Sequence, residues 1–396
     1  MTDNLVDLKY IDNRNQFKSK KELSYNYISL FFNYKFYCNK LKNKRIISKI
    51  ISVIIIILLV LLLFIILLYF KPKKNSNKIS NNKSFANSNK TRKFFFLEKK
   101  EELHYCKNYG IFTYNYPTDR PRPRTGNVGD YIQSLAALQY LPKDCLPYYV
   151  DRDDIEFYNG TNVTTIMNGW YRIVKGNIRV SKKICPIFVS IHIHNIKKIN
   201  SIYINTLKKY EPIGCRDTYT FNALKSKGIN AYFSSCLTTT LDIDYSVDDS
   251  ERTNNIYFVD YKFGYNDRID SYIKSLKVYN FSKSIFIHHR FRLKLPEFKR
   301  FQLAKLYLDR YARAKLVVTT RLHCALPCLV LKTPLIFVNR RFDRRYHGLY
   351  EFLNRVGINS TGQFQIKVNF DENNYVVNPK EYLKYANNLK QILNNI

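Results

Sequence analysis

The chain has 396 residues, with 65 Lys+Arg against 31 Asp+Glu and a formal charge of +34. Its 45% hydrophobic and 15% aromatic content exclude a mainly disordered protein, and 12 Gly with 12 Pro exclude collagen-like and low-complexity architectures. A mean hydropathy of -0.33 excludes a polytopic membrane protein.

Residues 1–45 read as a basic cytosolic tail with interleaved aromatics. Residues 46–70 follow, and their core, IISVIIIILLVLLLFIILLYF at 50–70, carries no charge. About 20 apolar residues span a bilayer as a helix, so this segment reads as a single transmembrane signal anchor. It starts too deep in the chain and runs too long for a usual cleaved signal peptide. Lys35, Lys40, Lys42, Lys44, Arg45 and Lys49 on one flank balance Lys71, Lys73, Lys74, Lys78, Lys83 and Lys90 on the other, so charge alone does not orient it. Glycosylation-type triplets start at Asn82, Asn89, Asn159, Asn162, Asn280 and Asn359. With a single anchor ahead of a large soluble domain, they favour a type II protein with a lumenal (ER/Golgi-like) catalytic domain. Residues 71–100 read as a flexible stem.

Strand-like and helical segments alternate from about residue 105. Strands are expected at 111–116, 186–193, 231–233, 256–261, 284–289, 315–320 and 334–339. Helices are expected at 130–141 with Asp130 as cap, at 201–210, from Asp217 through Lys225 with Gly228 as the stop, at 270–279, at 296–314, at 324–331, and at the C-terminus. The expected fold class is α/β with two Rossmann-like halves, 101–250 and 251–396, after the transmembrane helix. Seven of the eight cysteines follow the anchor and cannot all pair; Cys324 and Cys328, four apart, read as small buried residues on one helix face.

In open α/β sheets, ligands bind beyond the carboxyl ends of the strands. His192 and His194 end one strand, His288 and His289 another, Arg216 follows IGC, and Arg321 and His323 follow KLVVTT. Arg321 and His323 lie between a strand end and a helix start, where free N–H groups and the helix dipole favour an anion. Arg supplies a planar fork for carboxylate or phosphate, and His a proton donor or acceptor near neutral pH. An Arg–carboxylate bridge beside a satisfied His is the competing structural reading. Gly126 and Gly129, flanking Asn127 and Val128 before Asp130, permit close backbone approach to a ligand, or simply form a turn. Arg120, Arg122 and Arg124 line an anionic site or form a solvated basic loop. Asp217 reads as a helix cap more readily than as a base. His192 and His194 share a strand face, and either could be the one that meets a ligand.

Three segments, GNVGDYIQSLAALQYL, PIGCRDTYTFNALKSKGINAYFSSCLTTTLD and VVTTRLHCALPCLVLKTPLIFV, together resemble the polysaccharide pyruvyl transferase family across about residues 105–365. The resemblance implies a glycosyltransferase-B-like fold and transfer of the pyruvyl group of phosphoenolpyruvate to sugar hydroxyls as a ketal. It implies His323 as the catalytic histidine, with Asp130 in a motif of less defined role. It implies Arg216, Arg321, Leu322 and either His192 or His194 at the donor. No metal or cofactor is implied; the implied partners are phosphoenolpyruvate, a glycan or oligosaccharide acceptor, and the membrane through residues 46–70. The anchor departs from the many members that look soluble. A nucleotide-sugar-dependent glycosyltransferase and a non-catalytic glycan-binding membrane protein are the alternatives; charge alone does not support a specific nucleic acid.

Overall fold

A computed structural model describes residues 104–116, 125–143, 145–172, 179–241, 245, 247–264 and 266–394. The chain divides into compact units at residues 1–88 and 89–396. The tail, the anchor, the stem and Arg120, Arg122 and Arg124 lie outside the described residues. Among the described residues no helix is long and apolar enough to cross a membrane.

Two parallel arrays follow one another along the chain. The first comprises β1 (His104–Thr113), β3 (Cys145–Asp151), β4 (Val163–Ile166) and β6 (Ile184–Ile187) in the order β3-β1-β4-β6, and β5 (Gly169–Arg172), β7 (Ile191–His194), β8 (Ile213–Cys215) and β9 (Ala231–Phe233) in the order β5-β7-β8-β9. The expected single strand at 186–193 is therefore two, β6 and β7, in different sheets. The chain bends between them at Ser190, whose φ of 54° no strand accommodates. Backbone bonds bridge the bend: Met167 N–H donates to Ile187 O at 2.8 Å and Gly169 N–H to Ser190 O at 3.2 Å. β4 and β5 break at the same level, so the two sheets run end to end through the neighbouring pairs β4–β6 and β5–β7.

The second array comprises β10 (Ile256–Val259), β11 (Ser284–Ile287), β13 (Leu316–Thr319), β14 (Leu335–Asn339), β15 (Arg355–Ile358) and β16 (Phe364–Lys367), ordered β11-β10-β13-β14-β15-β16. All pairs are parallel except β15–β16. This is a doubly wound order, with its switch point between β10 and β13. Both faces are covered. Tyr257, Val259, Val317, Leu335 and Phe337 face the large core. Ile256, Phe258, Leu316, Val318, Ile336 and Val338 face a second core that includes Ile269 and Ile273 of α4 (Asp267–Ser275). Burial on both faces explains why these strands read as unbroken apolar runs. Each such Leu, Ile or Phe contributes about 1.5–3 kcal/mol on burial.

The remaining helices are α1 (Val128–Leu138), α2 (Ser201–Lys208), α3 (Thr218–Lys225), α5 (Glu297–Ala312), α6 (Leu322–Val330) and α7 (Tyr382–Asn394). The cap of α1 is Asn127, not Asp130: Asn127 Oδ1 accepts from Gly129 N–H at 3.2 Å, and Asp130 sits inside the first turn. Asp217 caps α3 as expected, accepting from Thr220 N–H at 2.8 Å.

Several ties join the two arrays. β2 (Thr125–Asn127) forms an antiparallel ribbon with β12 (Arg290–Arg292). Gly126 is required there, because a Cβ would stand 2.1 Å from the Phe291 ring; its missing side chain makes room for protein, not for a ligand. Helices α1 and α5 meet through Tyr131, which donates to Glu297 at 2.6 Å and accepts from Arg300 at 2.9 Å. The terminal helix α7 returns to the first array, where the Tyr385 ring lies 5.0 Å from that of Phe233.

Candidate active site

Strand ends bring the chemistry together. β10 delivers Asp260, β13 delivers Arg321, and the two meet at the switch point, where Arg321 Nε donates to Asp260 Oδ2 at 2.7 Å. The Arg–carboxylate bridge is therefore present. It occupies the Nε edge of a guanidinium that remains about one-third exposed (36%). Asp260 also accepts from His289 N–H at 3.0 Å. Burial would raise its carboxyl, but Arg321 and the His289 bond outweigh burial and hold it at about 2.

Arg321 is the residue before α6, and its own N–H is held by Thr319 Oγ1 at 2.9 Å. His323, the second helical residue, has φ −82° and ψ 17°, outside the helical region. Pro327 explains this: a proline removes the N–H that would bond the carbonyl four residues earlier, and its ring clashes with that carbonyl, here that of His323. The kink places an imidazole at a helix start, beside N–H groups that no earlier turn satisfies. Leu322, buried at 8% exposure, packs this first turn into the core.

The counterpart from the first array is Arg216, just past β8. It is 1% exposed, and its Nε has no hydrogen-bond partner. Its Nη1 lies 3.4 Å from His323 Nε2. No carboxylate is paired with it among the described residues, and burial pushes its guanidinium pKa down despite Cys236 and Asp217 nearby. Burial, together with Arg216, His289, Arg345 and Arg321, lowers His323 well below the ordinary imidazole value, so it is neutral at pH 7.

His192 and His194 separate. His192 is buried, with Nδ1 2.7 Å from Asp217 Oδ2 and 3.4 Å from Thr220 Oγ1. A carboxylate only accepts, so Nδ1 carries the proton and Nε2 keeps its lone pair. Burial lowers His192 against the opposing pull of Asp217, and Arg216 and Arg345 lower it further. His194 is exposed at the strand end, its ring 5.4 Å from Trp170; the structure does not bring it to Arg216 and His323. Asp130 is buried behind the site, accepting from Tyr116 OH at 3.0 Å and Gln133 Nε2 at 3.4 Å. Burial raises its carboxyl, opposed by Arg152 and by the Tyr116 bond. Gly129 faces the chemistry: a Cβ there would lie 3.0 Å from His323 Cβ and 3.3 Å from His289 Nδ1.

Sequence reasoning missed Asp260 and Arg345. Asp260 ends the strand IYFV, and strand-end position was the available signal. Arg345 follows β14 in the run RRFDRRYHG, where many basic residues hide one; its Nη2 donates to Asp343 at 2.8 Å. His289 is held through a 2.6 Å bond between Nε2 and Tyr311 OH. Cys324 and Cys328 are buried and unpaired. Among the described residues no group of three or more His, Cys, Asp or Glu is placed to hold a metal ion. The assembled site is a buried, unpaired guanidinium, a second guanidinium anchored by a carboxylate, a helix N-terminus and a neutral imidazole. Such a set binds a small anion and can move a proton next to it.

A model of the polysaccharide pyruvyl transferase family matches residues 127–341. Curated proteins include no match. Among solved structures, an uncharacterized protein from Klebsiella pneumoniae is similar at 16% identity, over 64% of this chain and 94% of that one, with a TM-score of 0.38.

Proposed function

Because the chain belongs to the polysaccharide pyruvyl transferase family and is a transferase, we propose that it moves the pyruvyl group of phosphoenolpyruvate to the hydroxyls of a glycan, forming a ketal. The observation that carries this reading is Arg216: a buried cation with an unpartnered Nε, 3.4 Å from an imidazole. Leaving a buried charge unpaired costs several kcal/mol, so the site favours an anionic ligand. Arg216 and Arg321 would hold the carboxylate and phosphate of the donor, with the first turn of α6 adding N–H groups.

In the free protein His323 is neutral, because burial and the surrounding cations disfavour its charge. The donor's negative charge offsets those cations and raises the imidazole pKa, so binding the donor loads the acid. His323 then delivers a proton to the methylene carbon. Positive charge develops at the adjacent carbon, an acceptor hydroxyl adds there and returns its proton to His323, phosphate departs with the C–O bonding pair, and a neighbouring hydroxyl closes the ketal, its proton leaving on the phosphate. His192, held by Asp217 in the tautomer that leaves Nε2 free, supports the same electrostatic field. Asp130 acts as a positioning residue through the first turn of α1. The two sheet arrays serve as the lobes of a glycosyltransferase-B-like fold. Residues 46–70 anchor the protein as a single-pass type II membrane protein with the catalytic part lumenal.

The test incubates the protein with phosphoenolpyruvate and a panel of galactosides and mannosides. Phosphate release matched by the mass gain of a ketal supports the assignment; turnover with nucleotide sugars instead overturns it.

A further inference from the structure

Apart from the anion site, a concavity of about 290 Å³ lies between the loop after β14 and the β15–β16 hairpin. Its size is near the lower end of small-molecule sites, about 300 Å³. Phe342, His347 and Tyr350 line it and form one aromatic cluster, with the Phe342 ring 4.7 Å from His347 and 5.4 Å from Tyr350. Glu351, Arg355 and Gln365 supply its polar wall. Arg355 is 6% exposed, yet its Nε has no hydrogen-bond partner.

The wall combines an acceptor, a donor and an amide that is both, set against aromatic rings. A sugar ring has a matching character, with an apolar C–H face and a rim of hydroxyls that donate and accept. Charge argues against a phosphate or nucleotide, because Arg355 and Lys367 are both drawn to Glu351, at 3.4 and 3.2 Å. The concavity adjoins the anion site through its own loop. His347 O accepts from Thr218 N–H at 3.1 Å, two residues past Arg216. Gly348, at φ +79°, lies where a Cβ would meet Thr218 Cγ2 at 2.7 Å. Arg345, in the same loop, contributes to the lowered pKa of His323.

The geometry points to a saccharide subsite that seats the acceptor sugar beside the donor, an inference that rests on the pyruvyl-transfer reading. Phe342 provides the stacking face and Gln365 a hydroxyl contact. The test uses the full chain with methyl β-galactoside and methyl α-mannoside as probes. Saturation-transfer NMR is first recorded without donor, and acceptor kinetics follow. Phe342→Ala and Gln365→Ala are expected to weaken glycoside binding and raise the acceptor KM about tenfold, leaving the donor KM unchanged; Phe342→Ala also lowers Tm, because its ring packs on His347 and Tyr350, whereas Gln365→Ala leaves Tm unchanged. Absence of saturation transfer from both glycosides to the wild type overturns the subsite, as does an unaltered acceptor KM in both variants while ketal still forms. Glycoside binding lost in the variants, with no consumption of phosphoenolpyruvate by the wild type, retains the subsite and removes the pyruvyl-transfer reading instead.

Discussion

Replacing Arg216 by Met should make the protein more stable and inactive. The side chain is 1% exposed, its Nε is unpartnered, and burial lowers its pKa. Exchanging a buried ion pair for apolar residues of similar volume stabilises by about 1–4 kcal/mol, and an unpaired cation has no partner's attraction to set against its desolvation. Unfolding residues 89–396 carries about 0.6 kcal/mol/K of entropy at about 2.1 cal/mol/K per residue. The expected gain in Tm is therefore about 2–6 °C. Phosphoenolpyruvate at 100 times its Kd should stabilise the wild type by about 2.7 kcal/mol, or about 4 °C, and leave the variant unmoved. Differential scanning calorimetry with and without donor measures both shifts. A variant that melts lower than the wild type, or that phosphoenolpyruvate still stabilises, refutes the argument that Arg216 is an unsatisfied cation awaiting an anion.

His323→Ala should lower transfer by at least about 10²-fold, as loss of a general acid does, with donor binding by calorimetry retained; near-normal ketal formation would exclude the imidazole. Donor binding at pH 7 should take up a proton, because the neutral His323 of the free protein gains charge in the complex. Affinity therefore rises as pH falls through the bound-state pKa and levels off below the lowered free-state pKa, and calorimetry in buffers of different ionisation enthalpy should show uptake in the wild type and none in His323→Ala. Asp260→Asn keeps a residue tolerant of the φ of 52° but releases Arg321, so the donor KM should rise about tenfold or more. Asp260 titrates at about 2 when folded and near 3.9 when unfolded, so its stabilisation is full above the higher value and is lost as pH falls toward 2. Urea midpoints of wild type and Asp260→Asn should converge across that window. Deleting residues 46–70 should move the protein from the membrane pellet to the supernatant on cell fractionation.

Where one element carries its own signal, the sequence revealed it. Asp217 before α3, Gly228 after it, and the apolar strands of the second array were readable because caps and two-sided burial leave local marks. Arg216, Arg321 and His323 were readable because each follows a strand. Asn127 displaced Asp130 as a cap because both residue types cap well, and only the passage of the backbone from extended at Asn127 to helical at Val128 decides between them. The break between β6 and β7 was hidden because PIFVSIHI keeps strand-like composition through Ser190, the residue that leaves the β region. Asp260 and Arg345 matter through partners 61 residues and two residues away, Arg321 and Asp343. Neither partnership leaves a periodic trace. His192 and His194 differ only because the strand ends between buried and exposed surroundings, a boundary that alternation does not mark.

The ribbon of Thr125–Asn127 with Arg290–Arg292 sits immediately beside the reacting groups: Val128 N–H donates to His289 O at 2.7 Å, and Gly129 abuts His323. It therefore acts as a clamp at the point where the arrays meet. With the α1–α5 contacts of Tyr131, Glu297 and Arg300 it resists separation of the arrays there, so the mutual spacing of Gly129, His289 and His323 is held by main-chain bonds rather than by side-chain packing alone.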